Sequence, residues 1–266
     1  MSRSRLKFGF LVLISWVCWL IPQARASTVI VAPNANGATE GNGNNSFPFN
    51  ISAVSSVSSE RYQQVFAASQ FSALGGPRVL TEIRFRPDGT FGAAFSSTLS
   101  SIQIDLSTTS TAPDALSNTF AINVGANDTV VRSGALTISS AFTGPVGGPK
   151  DFDIIIPLTT SFTYNPAAGN LLLDVRNFGA GLTTVFDIVN TPSDSVSRVF
   201  TNATGNVNST TGDATTSPDS GGLVAQFVFA DATVVPVPAA APVGGVLLIM
   251  LAVARRRLGM GGIKIT

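Results

Sequence analysis

The stretch that decides the fold is Ile102-Gln103-Ile104-Asp105-Leu106, in which apolar and polar residues alternate strictly. A repeat of two residues places the three apolar side chains on one face of a β-strand and the two polar ones on the other. The same alternation recurs at 82–86, 120–124, 152–158 and 171–176. β-branched and aromatic residues, which favour strands, fill its apolar positions. We therefore predict a series of strands that each bury one face.

Weaker strand patterns and frequent turns complete this picture. The weaker strands are predicted at 129–131, 136–139, 161–164, 184–189, 196–200 and 223–229. Clusters of Gly, Pro and Asn separate the segments about every 8 to 15 residues, and no long amphipathic helix is evident. Residues 58–71 fit either a strand or a helix, and we expect a strand followed by a short helical turn. The chain is thus predicted to be all-β, an antiparallel β-sandwich of jelly-roll type over 51–230.

The N-terminus has the three parts of a secretory signal peptide. Basic residues precede an apolar run at 8–21, and Ala24-Arg25-Ala26 then forms an A-x-A cleavage site before Ser27. We predict a signal peptide over 1–26 and a flexible polar leader over 27–50, with a short strand at 29–31. Within the body, the polar stretch 201–222 is predicted to be an excursion between strands.

A second apolar segment lies near the C-terminus. It follows Val235-Pro236-Val237-Pro238-Ala239 and is followed at once by Arg255-Arg256-Arg257. As a helix, residues 239–254 would be about 24 Å long, slightly less than the bilayer's hydrocarbon core of about 30 Å. To span the bilayer, the helix would need local thinning of the lipid or arginine side chains that extend to the membrane surface. We predict a linker with the Pro motif over 231–242, a transmembrane helix over 243–254 and a basic cytoplasmic tail over 255–266, which places the body outside. A plain single-pass anchor is the alternative to a processed one.

The Pro motif, apolar run and Arg cluster together resemble the PEP-CTERM class of bacterial C-terminal sorting signals, in its Val-Pro-Leu-Pro-Ala variant. The resemblance implies that a membrane-embedded exosortase-type transpeptidase cuts near Pro236–Pro238. The body also resembles the uncharacterised β-rich ectodomains that accompany this signal. Its residues 61–66, 83–86, 104–109 and 169–176 carry that likeness. It implies a fold but no activity.

Composition narrows the chemistry. The chain has no His, and its one Cys, Cys18, lies in the predicted signal peptide. Ser-His-Asp and Cys-His catalysis, the usual zinc sites and disulfides are therefore excluded from the mature chain. The exported part carries eight Lys or Arg against 15 Asp or Glu, a net charge of −7. That sign argues against a nucleic-acid partner, whose phosphates need clustered cations.

Two groups of residues are candidates for a site. Asp151 and Asp153, beside Lys150, are spaced to share one strand face and could belong to a calcium site or a carboxylate pair, although solvated surface charges show the same pattern. A second group could form a saccharide platform that stacks and hydrogen-bonds a sugar. It comprises Tyr62, Arg84, Arg86 and Arg176. Against this second interpretation, both Trp residues lie in the signal peptide.

The sequence as a whole indicates an exported, non-enzymatic protein of the cell surface or of an extracellular, exopolysaccharide or biofilm matrix. We predict no catalytic, cofactor-binding or metal residues. The expected partners are the exosortase-type enzyme, the membrane through the C-terminal helix, and extracellular polysaccharide. The alternative is a carbohydrate-binding or adhesive module, and a polysaccharide-acting enzyme is a third, less favoured hypothesis.

Overall fold

A computed structural model describes residues 27–54, 57–179, 181–201, 206–213 and 218–230. The predicted signal peptide with Ala24 and Ala26, the Pro motif Val235–Ala239, the transmembrane helix and Arg255–Arg257 lie outside these residues. In the described part of the chain, no helix has both the length and the apolar character needed to cross a bilayer.

Strands are the main regular structure of the described residues. The twelve strands are β1 Ser27–Ala32, β2 Gly43–Asn45, β3 Glu60–Phe66, β4 Arg78–Phe85, β5 Phe95–Thr109, β6 Thr129–Ser140, β7 Ile154–Tyr164, β8 Asn170–Asn177, β9 Phe186–Asn190, β10 Val196–Phe200, β11 Gly221–Leu223 and β12 Ala225–Ala230. One short α-helix, α1, spans Phe120–Asn123. Four 3₁₀ turns lie at Asn34–Asn36, Ile51–Ala53, Ala68–Leu74 and Pro166–Ala168.

The strands form three sheets in which all neighbours are antiparallel. The orders are β1-β12-β4-β7, β10-β3-β8-β5-β6 and β11-β9-β2. This confirms the all-β, antiparallel prediction. The alternation that suggested it is visible in β8, where the outward Asp174 lies between the core residues Leu173 and Val175.

Aromatic side chains join the two larger sheets. Phe66 of β3 and Phe227 of β12 meet edge to face, with ring centroids 5.0 Å apart at 86°. Phe71, in the 3₁₀ turn after β3, contacts both Phe227 and Tyr164. Edge-to-face contacts favour the ring quadrupoles, and each buried ring also removes a large apolar area from water. The core therefore lies between the sheet faces that the sequence alternation marked as apolar.

Some segments differ from the sequence prediction. Residues 120–124, predicted as a strand, contain α1, which buries Phe120 and Asn123 and leaves Ile122 68% exposed. Five alternating residues are too few to distinguish a spacing of two from a spacing of three. The short strand predicted at 29–31 is confirmed, since it lies within β1, but the rest of the 27–50 segment, expected to be a flexible leader, contains β2, which pairs with β9.

Other segments agree with the prediction. The ambiguous 58–71 stretch forms β3 followed by the 3₁₀ turn at Ala68–Leu74, as expected. Most of the apolar 223–229 segment returns as predicted, in β12 of the four-stranded sheet, while Leu223 ends β11 of the three-stranded sheet. In the described parts of the predicted 201–222 excursion, an isolated bridge joins Thr211 to Thr119, and β11 begins at Gly221.

Candidate functional site

Three cationic side chains line one cavity of about 420 Å³. Arg84 lies on β4, Arg86 follows that strand, and Lys150 lies in the loop before β7. The rest of the wall consists of Gln226 of β12, with Gly37, Ala38, Pro145, Pro149, Asp151 and Phe152. Strand pairing and the loop thus bring together residues that are far apart in sequence.

Arg84 is fixed on the outer face of the four-stranded sheet. The register of β4 and β12 places it opposite Gln226, and its Nη1 donates to Gln226 Oε1 at 3.2 Å. Its Nε donates to the carboxylate of Glu82 on the same strand face. The Arg84 side chain keeps 31% of its surface exposed, so its remaining donors are accessible.

Arg86 forms the floor of the cavity and is only 1% exposed. Its Nε and Nη2 lie 2.8 and 2.7 Å from Asp187 Oδ2, and Nη2 also donates to the Thr39 carbonyl oxygen at 2.7 Å. Its guanidinium carbon lies 4.8 Å from the centre of the Phe152 ring. A buried charge needs such partners, and together they leave the side chain in one orientation.

Asp187 belongs to an acidic cluster behind Arg86. Oxygen atoms of Glu40, Asp88 and Asp187 lie within 4.8 Å of one another. Burial raises the pKa of Asp187 to about 6 and the Glu40 charge adds to this, while Arg86 opposes it. Each carboxylate accepts hydrogen bonds from backbone N–H groups. Glu40 accepts from Gly89, Asp88 accepts from Thr90 and Phe91, and Asp187 accepts from Gly41.

This cluster could offer three oxygen ligands to a metal. Calcium takes six to eight, and the Asp187 charge is already matched by Arg86. The backbone hydrogen bonds join the segments around Glu40, Asp88 and Asp187 to one another. We therefore assign the cluster to the support of Arg86 and of the surrounding loops.

The loop at 141–153 positions Lys150. Thr143 Oγ1 donates to Asp151 Oδ2 at 2.8 Å, and the Ala141 backbone N–H donates to Asp153 Oδ2 at 2.8 Å. Gly144 has φ +152°, and a Cβ there would lie 2.8 Å from the Pro149 carbonyl oxygen, so the close approach of the loop ends needs glycine. Lys150 Nζ lies 4.4 Å from the centre of the Phe142 ring.

Asp151 and Asp153 therefore precede β7 and fasten its loop. They do not lie on a strand face as the sequence predicted, because β7 begins at Ile154. Each carboxylate is engaged by a different donor of the loop. This geometry favours a structural role over a calcium site or a catalytic pair.

The predicted saccharide platform is only half present. Tyr62 is wrong as a platform residue, because it faces the core, where its hydroxyl donates to Gln64 Oε1 at 2.6 Å. Arg176 lies on the five-stranded sheet, opposite Arg61 and Gln103, away from the four-stranded sheet that carries Arg84. Arg84 and Arg86 do come together, but with Lys150 and Gln226, which the prediction did not include.

A second polar group occupies the outer face of the five-stranded sheet. Asp105 of β5 lies directly opposite Asp174 of β8. Arg61 and Gln63 donate to Asp174 at 2.6 and 2.7 Å, and Gln103 donates to Asp105 at 2.8 Å. Burial raises the pKa of Asp105, and the Asp128 and Asp174 charges raise it further.

These two carboxylates are poorly accessible. Asp105 is 4% and Asp174 3% exposed, and the Phe120 ring of α1 covers the Arg61 guanidinium at 4.6 Å. A sugar ring cannot reach a carboxyl pair so deeply covered. We assign this group to sheet stability, which leaves the Arg84–Arg86–Lys150 cavity as the candidate site.

Comparison of the chain with protein-family models, with curated proteins and with solved structures finds no match.

Proposed function

We propose that the protein is exported, acts without catalysis at the cell surface or in an extracellular matrix, and carries a C-terminal sorting signal of PEP-CTERM type. Its body in this proposal is a β-sandwich of jelly-roll type. The packing of Phe66 on Phe227 between the two larger antiparallel sheets supports the sandwich.

The observation that carries the proposal is the pairing of β1 with β12. Ser27 lies directly opposite Ala230 in this pair. Ser27 is the first residue after the predicted signal-peptide cleavage site, and Ala230 is the last residue before the predicted linker. The first and last described residues of the body, Ser27 and Ala230, therefore lie at the same end of one strand pair. Such an arrangement suits a body that is held at a membrane from one side.

The composition supports a role without catalysis. The mature sequence contains neither His nor Cys, so nucleophile-and-base chemistry of the usual kinds has no residues to use. The Asp105–Asp174 carboxyl pair on the five-stranded sheet is covered. The net charge of −7 on the exported part suits solubility outside the cell.

The decisive experiment is intact-mass measurement of the cell-surface form. The proposal expects an N-terminus at Ser27 and a C-terminus near Pro236. A double variant, Pro236→Ala with Pro238→Ala, should retain the uncut tail, whereas Pro242→Ala, outside the motif, should be processed normally. A native protein that keeps its full tail through Thr266 would show a plain membrane anchor.

A carbohydrate-binding or adhesive module is the second candidate. The cavity with Arg84, Arg86 and Lys150 favours it, because fixed polar side chains around a cavity of this size are typical of small-molecule sites. Pull-down of the mature protein on a set of immobilised polysaccharides tests this candidate. Retention on none of them by the folded protein would remove it.

A further inference from the structure

We propose that the cavity between β4, β12 and the 141–153 loop binds the carboxylate group of an acidic sugar, such as a uronic acid unit. The inference adds a ligand to the proposed function and rests on it only in placing that ligand outside the cell. The argument comes from the concentration of cations, their fixed geometry, the charge balance and the size of the cavity.

The distribution of charge sets this cavity apart. The exported part has a net charge of −7 and contains only eight Lys or Arg residues. Three of these eight line this one cavity. The one carboxylate among the lining side chains, Asp151, accepts the Thr143 hydroxyl. In a body with a surplus of acids, so many cations around one concave surface favour an anionic ligand.

The cations are already oriented before any ligand arrives. Glu82 and Gln226 hold Arg84, while Asp187 and the Thr39 carbonyl hold Arg86. The Arg84 side chain is 31% exposed and Arg86 only 1%, so a ligand would contact Arg84 and Lys150, while Arg86 contributes its charge from beneath them. Binding therefore needs little ordering of these side chains, which lowers its entropic cost. The flat guanidinium matches a planar oxyanion better than an ammonium group does.

The charge balance favours a singly charged anion over a dianion. Glu82 and Asp187 offset the charges of Arg84 and Arg86. Among the described residues Lys150 has no carboxylate within ion-pair distance, and it rests on the Phe142 ring. Asp151 on the same wall offsets the Lys150 charge, so the cavity as a whole is about neutral. A bound carboxylate then leaves less uncompensated negative charge there than a phosphate dianion would.

The size and lining of the cavity indicate a sugar around the carboxylate. About 420 Å³ falls within the range of small-molecule sites and exceeds what a carboxylate alone fills. The Gln226 amide and the Asp151 carboxylate offer partners for hydroxyl groups. Pro145 and Phe152 offer apolar surface to the C–H face of a ring.

The test is isothermal titration of the full-length protein in detergent at low salt. The probes are a galacturonic acid trimer, a neutral glucose trimer, sodium acetate and inorganic phosphate. We expect the acidic trimer to bind at least about 10-fold more tightly than the other three, because charge-assisted hydrogen bonds and sugar contacts add. Equal binding of both trimers would overturn the role of the carboxylate. Phosphate or acetate binding as tightly as the trimer would overturn the role of the sugar.

Matched variants locate the site. Arg84→Gln and Lys150→Gln should each weaken acidic-trimer binding about 10-fold or more. Arg78→Gln removes the same charge from the same strand, β4, but away from the cavity, and should change binding less than about 2-fold. Thermal unfolding of each variant verifies its fold. Equal losses in all three variants, or no binding by the folded native protein, would overturn the proposal. Neither result affects the mass measurement that tests processing.

Discussion

Glu60 is the residue whose replacement should change stability most informatively. It begins β3 and is fully buried, and within the described chain neither carboxylate oxygen has a hydrogen-bond partner. Burial raises the pKa of Glu60 well above its ordinary value, and Arg198 only partly opposes this. The folded protein therefore keeps the proton to a higher pH than the unfolded chain does.

The sign of the pH dependence follows from this difference. Above the ordinary pKa of a glutamate, the unfolded chain has lost the Glu60 proton while the folded protein retains it, so stability falls as the pH rises towards the folded pKa. The slope is at most about 1.4 kcal/mol per pH unit. Glu60→Gln removes this titration. The difference between the variant's free energy of unfolding and that of the native protein should therefore increase, in favour of the variant, by up to about 4 kcal/mol from pH 5 to pH 8.

Urea unfolding of both proteins at pH 5, 6, 7 and 8 measures the difference. Asp151→Asn is the control, because that side chain is exposed and the asparagine oxygen can still accept the Thr143 hydroxyl, so its effect should stay within about 0.5 kcal/mol at every pH. A Glu60→Gln advantage that is the same at pH 5 and pH 8 would refute the reasoning. A variant whose deficit relative to the native protein grows as the pH rises from 5 to 8 would show that Glu60 is ionised and paired with Arg198.

Other substitutions test the supports of the site and of the core by urea unfolding. Arg86→Met should lower the free energy of unfolding by about 3–5 kcal/mol, since it leaves the buried Asp187 charge unpaired. Adding Asp187→Leu should restore most of that stability. A small effect of Arg86→Met alone would contradict the buried ion pair. Phe227→Ala should cost about 3–5 kcal/mol by opening a cavity between the sheets, and a loss below about 1 kcal/mol would argue against that packing. Gly41→Ala would place a Cβ 2.0 Å from the Ile188 carbonyl oxygen, so it should destabilise by more than 1 kcal/mol, and unchanged stability would count against this close approach.

The strands were predictable where alternation was long. In β5, polar residues recur at every second position from Ile102 to Ser107, and in β8 Asp174 and Arg176 flank Val175 in the same way, which indicates both the strand and its buried face. In α1, the buried residues Phe120 and Asn123 are three positions apart. The Asn123 side-chain amide donates hydrogen bonds to Gln63 Oε1 and to the Ser117 carbonyl oxygen. Those amide hydrogen bonds depend on the tertiary fold, so a five-residue pattern could not reveal them.

The cavity was predictable only in part. Alternation identified Arg84 as outward-facing, and the same rule extended to Arg86, but β4 ends at Phe85 and the chain then turns Arg86 inward to Asp187. Gln226 faces Arg84 through the register of two strands that lie 142 residues apart in sequence. Such registers arise from the burial of both strands together, and no local pattern specifies them.

The position of β12 limits when the body can fold during the proposed export. β12 is the last strand in sequence, yet it lies inside its sheet between β1 and β4, and its Phe227 and Phe229 are fully buried. The four-stranded sheet cannot close until residue 230 has crossed the membrane, and a chain without it exposes the core faces of both larger sheets. An apolar segment a few residues further on would hold the chain at the membrane during that interval. Cleavage near Pro236 would then release a body whose last strand, ending at Ala230, is already complete.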